Sequence, residues 1–64
     1  MPRHRPPREV WEALRLIVWK RDGKRCVRCR VPVAWEEMHL DHIRSGKRAT
    51  NKLSNLRTLC ARCH

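Results

Sequence analysis

Four cysteines lie in two C-x-x-C pairs, Cys26/Cys29 and Cys60/Cys63. An Asp41-His42 dipeptide stands between the pairs, and His64 follows the last cysteine. Tetrahedral zinc takes thiolate sulfur or imidazole nitrogen, and a two-residue gap lets both cysteines of a pair reach one ion. Four sulfurs complete a closed site, so Cys26, Cys29, Cys60 and Cys63 are expected to hold a structural Zn2+. Asp41, His42 and His64 are left over, and they suit a different chemistry. Phosphodiester hydrolysis needs a base to deprotonate water and a cation to neutralise charge on the phosphate. A neutral histidine, with an ordinary pKa of about 6.5, can be the base. A carboxylate and one further ligand can hold a hard divalent ion with open positions. Asp41 and His64 are candidates for those ligands and His42 for the base, because zinc joining the two pairs carries His64 back towards mid-chain.

The length explains why a metal is wanted. A chain of 64 residues is one domain at most, and its core is too thin to hold without a staple. Zinc is preferred to disulfides because the cysteines form adjacent knuckles and no signal peptide is recognisable, which points to a reducing, cytoplasmic compartment. The longest apolar stretch, Leu16-Ile17-Val18-Trp19, is far too short for a membrane span. Thirty residues separate the two pairs, more than a zinc ribbon uses, so further structure is expected between them.

Lys and Arg number 16 against 6 Asp and Glu, a formal charge of +10. So positive a field on so small a body favours a polyanion, which puts nucleic acid ahead of a merely soluble basic protein or a membrane surface.

Residues 1–8, M-P-R-H-R-P-P-R, are basic and broken by proline. They are expected to form an extended or disordered arm in which His4 has no role. The domain proper is expected over 9–64. From Glu9, the residues Val10, Leu14, Ile17 and Val18 recur at helical spacing, with Trp11 extending the stripe. Glu9 and Glu12 at one end and Lys20 and Arg21 at the other suit the helix dipole, and Asp22-Gly23 supplies the stop. Leu16 and Trp19 fall beside the stripe and suggest a second apolar contact. Pro32 argues against a central strand over 31–35. Residues 36–43 alternate like a strand, Ser45-Gly46 reads as a turn, and Leu56 to Leu59 reads as a second short strand. Lys47 and Arg48 are candidate phosphate contacts, and the second knuckle is placed to open a helix.

With these elements in order, C-V-R-C, H-L-D-H-I and N-L-R-T-L-C-A-R-C-H resemble the HNH endonucleases of zinc-stapled ββα-metal fold. The run W-E-A-L-R-L-I-V-W-K-R-D-G-K-R-C is similar to the helix that leads into the first knuckle in many members. The resemblance covers about residues 9–64. It implies a small α+β domain with an N-terminal helix, a four-cysteine zinc staple and, since the sequence given stops at His64, a truncated final helix. It implies that His42 is the general base and that Asp41 and His64 ligate one catalytic divalent ion, Mg2+ or another such as Mn2+ or Ni2+. Asn55, which alone reads as a turn residue, becomes the middle residue of the motif, holding the base and its loop by hydrogen bonding. Arg44 stands where many members carry proline, and an arginine there can contact phosphate. Members usually cut or nick double-stranded DNA, leaving a 5′-phosphate and a 3′-hydroxyl, and small ones often belong to phages or mobile elements. The competing reading is a non-catalytic zinc module that grips nucleic acid with the same charges. A zinc-stapled protein-interaction domain comes third, disfavoured by the charge.

Overall fold

In a computed structural model, residues 6–48 and 50–64 are described, Arg48 by its backbone alone. His4 and most of the expected basic arm therefore lie outside the described residues, as does the side chain of Arg48. One helix, α1 (Arg8–Arg21), is followed by a two-stranded antiparallel sheet of β1 (His39–His42) and β2 (Leu56–Leu59). Short 3-10 turns at Trp35–Glu37, Gly46–Arg48 and Leu53–Asn55 occupy the connections.

The helix begins at Arg8, one residue before the expected start. Pro7 is its N-cap, and the Pro7 carbonyl accepts the Trp11 N–H at 2.9 Å. Asp22-Gly23 ends it as expected. Gly23 takes a φ of 74°, the left-handed conformation a helix stop needs, its N–H donating to the Lys20 carbonyl and the Lys24 N–H to the Trp19 carbonyl. The expected strand over 36–43 is shorter in fact. Glu36 and Glu37 turn in a 3-10 step closed by Glu37 N–H on the Ala34 carbonyl, and pairing starts only at His39. The second strand runs over the expected residues. Its register sets His39 opposite Leu59, Asp41 opposite Arg57 and His42 opposite Leu56. Val31–Val33 makes no strand; Pro32 and Arg25 form an isolated bridge beside the first knuckle.

Among the described residues the buried apolar ones are few: Val18, Cys26, Val33, Met38, Leu56 and Leu59. Cys26, Val33, Met38 and Leu59 form one cluster, flanked by Trp19, Trp35, Leu40, Cys60 and Cys63. The cysteine frame is thus part of the core and no appendage to it. Trp19 joins this cluster as expected, its indole Nε1 donating to the Val33 carbonyl at 2.8 Å and its ring 5.4 Å from that of Trp35.

The inward face of α1 differs from the expected stripe. Val10 and Ile17 are 47% and 48% exposed, and Leu16 is exposed as well, whereas Val18 is fully buried and Trp11, Leu14 and Arg15 are half-buried. Polar ties turn the helix this way. The Arg15 guanidinium donates to the carbonyls of Trp35 and Met38 and lies 4.4 Å over the Trp35 ring. The Arg21 guanidinium reaches the carbonyls of Leu53 and Leu56 at 2.8 and 2.7 Å. Asp22 accepts the Thr58 N–H of β2 at 2.9 Å and pairs with Arg21.

Asp22 gives this packing a measurable signature. Burial opposes its charge, but the Arg21 guanidinium and the Thr58 N–H outweigh burial and hold its carboxyl below the ordinary carboxylate value. A carboxylate whose folded pKa is lowered stabilises the fold above the unfolded value, about 3.9, and loses that contribution as pH falls through the folded value. Asp22→Asn is expected to cost about 1–2 kcal/mol. The cost should be flat from about pH 6 to about pH 8, where Asp22 is charged in both folded and unfolded chains. Denaturant melts of the zinc-loaded protein measure it, and a difference that changes across that range contradicts the assignment.

Candidate functional site

Each C-x-x-C pair is a tight turn whose backbone amides face its sulfurs. The Arg30 N–H donates to the Cys26 carbonyl, the Cys63 and His64 N–H groups donate to the Cys60 carbonyl, and the Cys29 N–H points at Cys26 Sγ at 3.5 Å. The Val27 N–H donates to the Thr58 carbonyl, which sets the first knuckle against β2 just before the second knuckle begins. The four sulfurs gather within 4.8 Å of one another, with Cys29 and Cys60 Sγ 3.6 Å apart. Zinc–sulfur bonds of about 2.3 Å in a tetrahedron put sulfurs about 3.8 Å apart, so the donor set fits one zinc-sized ion.

The acidities point the same way. Burial pushes the Cys26 thiol up, but hydrogen bonds from backbone groups of Cys29, Cys60 and Arg28 pull it down further, to about 6. Cys63 moves the other way. Burial, then its hydrogen bonds with Cys26, Cys60 and Cys29, push it up to about 12. The first proton leaves such a cluster easily and the last is retained, because a further thiolate has no positive partner. A thiophilic dication is what lets all four sulfurs ionise together.

Beside this frame, the loop over 43–55 joins the strands and is closed by one buried side chain. Asn55 Oδ1 accepts the Arg44 N–H at 2.8 Å, and its Nδ2 donates to the Thr50 carbonyl at 2.9 Å and the Arg44 carbonyl at 3.3 Å. The Asn55 carbonyl accepts the Ile43 N–H. Asn55 is 8% exposed, so these bonds are shielded from water.

His42 and Asp41 end β1. As neighbours on a strand they point to opposite faces. The His42 ring packs against Trp11 of α1, with ring centres 5.8 Å apart, and its Nε2 lies 2.9 Å from Asn51 Oδ1. Asp41 faces its cross-strand partner, Arg57, whose Nε donates to Asp41 Oδ2 at 2.8 Å. His39 shares the face of Asp41, and the exposed His64 ring stacks on His39 at 4.6 Å with planes 18° apart. His64 is thus carried back to the strand that bears Asp41, at the His39 end of that face. Among the described residues, the four cysteines are the only set of three or more His, Cys, Asp or Glu groups gathered as metal ligands.

The family model for HNH endonucleases matches residues 26–64, more than half of the chain. The chain belongs to the HNH endonuclease family. Its helix, antiparallel strand pair and clustered cysteines agree with the ββα-metal fold of HNH domains, and the four thiols suit zinc. No curated protein and no solved structure matches the chain. Among the described residues of this HNH domain, no helix is long and apolar enough to cross a membrane.

Several contributors around the HNH motif escape a reading of the sequence. Trp11, expected as ordinary core, is the wall behind His42. Asn51 has no motif to mark it and reaches His42 across the loop. His39, unmarked within the expected strand over 36–43, is the ring on which His64 rests. Arg57 was one of many basic residues, and only the register shows that it faces Asp41. No apolar alternation marks that register, since Leu56 and Leu59 of β2 point to opposite faces; it emerges only when the strands pair.

Proposed function

We propose that this HNH domain hydrolyses DNA phosphodiester bonds, with His42 as general base and one divalent ion on Asp41 and His64. The observation that carries this reading is the end of β1. There a half-buried imidazole, held between Trp11 and Asn51, adjoins a carboxylate that already attracts a cation, the Arg57 guanidinium.

The donor chemistry of Asp41 and His64, one carboxylate and one imidazole with room left for other ligands, suits Mg2+, Mn2+ or Ni2+. Such an ion, when bound, stabilises negative charge on the phosphate and on the leaving oxygen. The protein's own residues do the rest. Among the described residues β1 pairs only with β2, so a phosphodiester lying across its other edge can be reached from both faces, by His42 on one and Asp41 on the other. His42 takes a proton from water as the water oxygen bonds to phosphorus. The bond from phosphorus to the 3′ oxygen breaks, that oxygen takes a proton from solvent, and the phosphate stays on the 5′ side. Asn55 holds the loop that follows these strand residues. The same loop borders a polar hollow of about 550 Å3 lined by Arg44, Thr50, Ser54 and Asn55, which suits a sugar-phosphate backbone. The exposed Arg28, Arg30, Arg44 and Arg62 supply phosphate contacts that are independent of sequence and sensitive to salt. The direct test is supercoiled plasmid incubated with zinc-loaded protein, with and without added magnesium or manganese. Ion-dependent relaxation supports the enzyme, and retention of DNA without cutting supports the non-catalytic binder.

Arg57 makes a separate prediction. An ion arriving at Asp41 must displace or sit beside a guanidinium already bonded there. One unit charge about 4 Å from a divalent ion in a watery site opposes it by about 2 kcal/mol, or roughly thirtyfold in affinity. Arg57→Ala is therefore expected to tighten Mn2+ binding by about tenfold or more in calorimetry of the zinc-loaded protein. Weaker binding in the variant would mean instead that Arg57 holds Asp41 in its ligating pose.

A further inference from the structure

Asn51 lies in the loop between the strands, nine residues from His42, and no motif marks it. Its Oδ1 is 2.9 Å from His42 Nε2. An amide oxygen can only accept a hydrogen bond, so the ring donates from Nε2; in the neutral imidazole Nε2 then carries the proton and Nδ1 keeps its lone pair.

The contact is built rather than incidental. Asn51 has a neighbour on each side whose carbonyl is held by the same residue. The Thr50 carbonyl accepts from Asn55 Nδ2 at 2.9 Å, and the Lys52 carbonyl accepts from the Asn55 N–H at 2.8 Å. Asn55 is buried, so the backbone that presents Asn51 is clamped from inside the fold. Trp11 meets the imidazole as well, with ring centres 5.8 Å apart and planes tilted by 33°. The indole limits where the ring can sit and the amide fixes its rotation about the Cβ–Cγ bond.

We propose that Asn51 is the positioning residue of His42: it fixes the Nε2–H tautomer and so makes Nδ1 the nitrogen that receives the water proton. The proposal rests on the reading of His42 as the base. It also separates the two asparagines by task. Asn55 shapes the loop, and Asn51 transmits that shape to the ring. A base whose lone pair points away from the water is useless whatever its basicity, and small errors of placement at a reacting group cost up to about a hundredfold in rate.

The test reads the ring directly. Long-range proton–nitrogen spectra of nitrogen-15-labelled, zinc-loaded protein, taken with the imidazole neutral, distinguish the two tautomers of His42. In the wild-type protein the expected result is a proton on Nε2 alone. Asn51→Ala is expected to give a mixture of tautomers, with dispersed amide signals and zinc content unchanged. Asn51→Asp keeps an acceptor oxygen at the same reach and is expected to restore the Nε2–H form. In plasmid nicking, Asn51→Ala should lower kcat about tenfold or more while KM for DNA stays put. A wild-type ring protonated on Nδ1 overturns the proposal, because the amide would then be turned to donate from Nδ2. An Asn51→Ala protein that keeps the pure Nε2–H form overturns it too. A wild-type protein with the expected tautomer and no nicking activity keeps Asn51 as the anchor of the ring and removes the base role from His42, so the two failures are distinguishable.

Discussion

Stripping zinc from this domain is expected to unfold it. The scale of the terms leaves little room for another result. A folded domain of this length has about 3–10 kcal/mol of net stability on the usual per-residue scale. Structural zinc in small modules contributes about 10–16 kcal/mol at neutral pH, more than that whole margin. The structure shows why no reserve exists. Cys26 is itself one of the few fully buried residues, and Cys60 and Cys63 pack on the same cluster with Val33, Met38 and Leu59. Removing the ion leaves thiols with opposed acidities in the middle of the core, Cys26 at about 6 and Cys63 at about 12. What remains is a two-stranded sheet and one 14-residue helix, each marginal alone. Chelator titration followed by circular dichroism and amide dispersion should show one cooperative loss of structure at one equivalent of zinc removed. Cys26→Ser should fail to bind zinc and fail to fold. A protein that keeps its dispersed spectrum after measured loss of zinc would show that the apolar cluster suffices and the staple does not hold the fold.

His42→Ala should remove nicking by about 10²–10⁴-fold, the range a positioned general base supplies. Its fold should survive. His42 is only half-buried and lies outside the Cys26–Val33–Met38–Leu59 cluster, and its ring contacts, Trp11 and Asn51, belong to the site rather than to that core. DNA retention should also persist, since the exposed arginines are untouched. Asp41→Ala and His64→Ala are expected to behave differently, raising the concentration of divalent ion needed before lowering the rate at saturation. A loss of rate without loss of fold or retention is the pattern that separates chemistry from gripping.

The parts of this domain that were legible in the sequence are those in which a residue type alone dictates geometry. Thiols two residues apart must converge on something, and they do so within 4.8 Å. Asp22-Gly23 must stop a helix, because glycine takes the positive φ that the stop needs. The short run from Leu56 to Leu59 forms β2 over the expected residues. The inward face of α1 was not legible. Val10, Leu14, Ile17 and Val18 fit a stripe, but α1 is apolar over much of its circumference. The choice of face falls to Arg15, Arg21 and Asp22, whose backbone partners lie 20 or more residues away in the chain. The same holds at the site. Asp41-His42 and Asn55 are visible as a motif, whereas Asn51, Trp11 and Arg57 matter only once the loop closes and the strands register. Local propensity carries no information about such long-range polar contacts.

Whether the end of β1 cuts DNA through His42 can be timed directly. Wild-type and His42→Ala proteins, matched for zinc content and for DNA retention, should be timed side by side on supercoiled plasmid at saturating magnesium or manganese. The wild type is expected to relax the plasmid steadily, and the variant at a rate at least about a hundredfold lower. Equal rates in both, or firm retention with no cutting by either, would contradict that expectation.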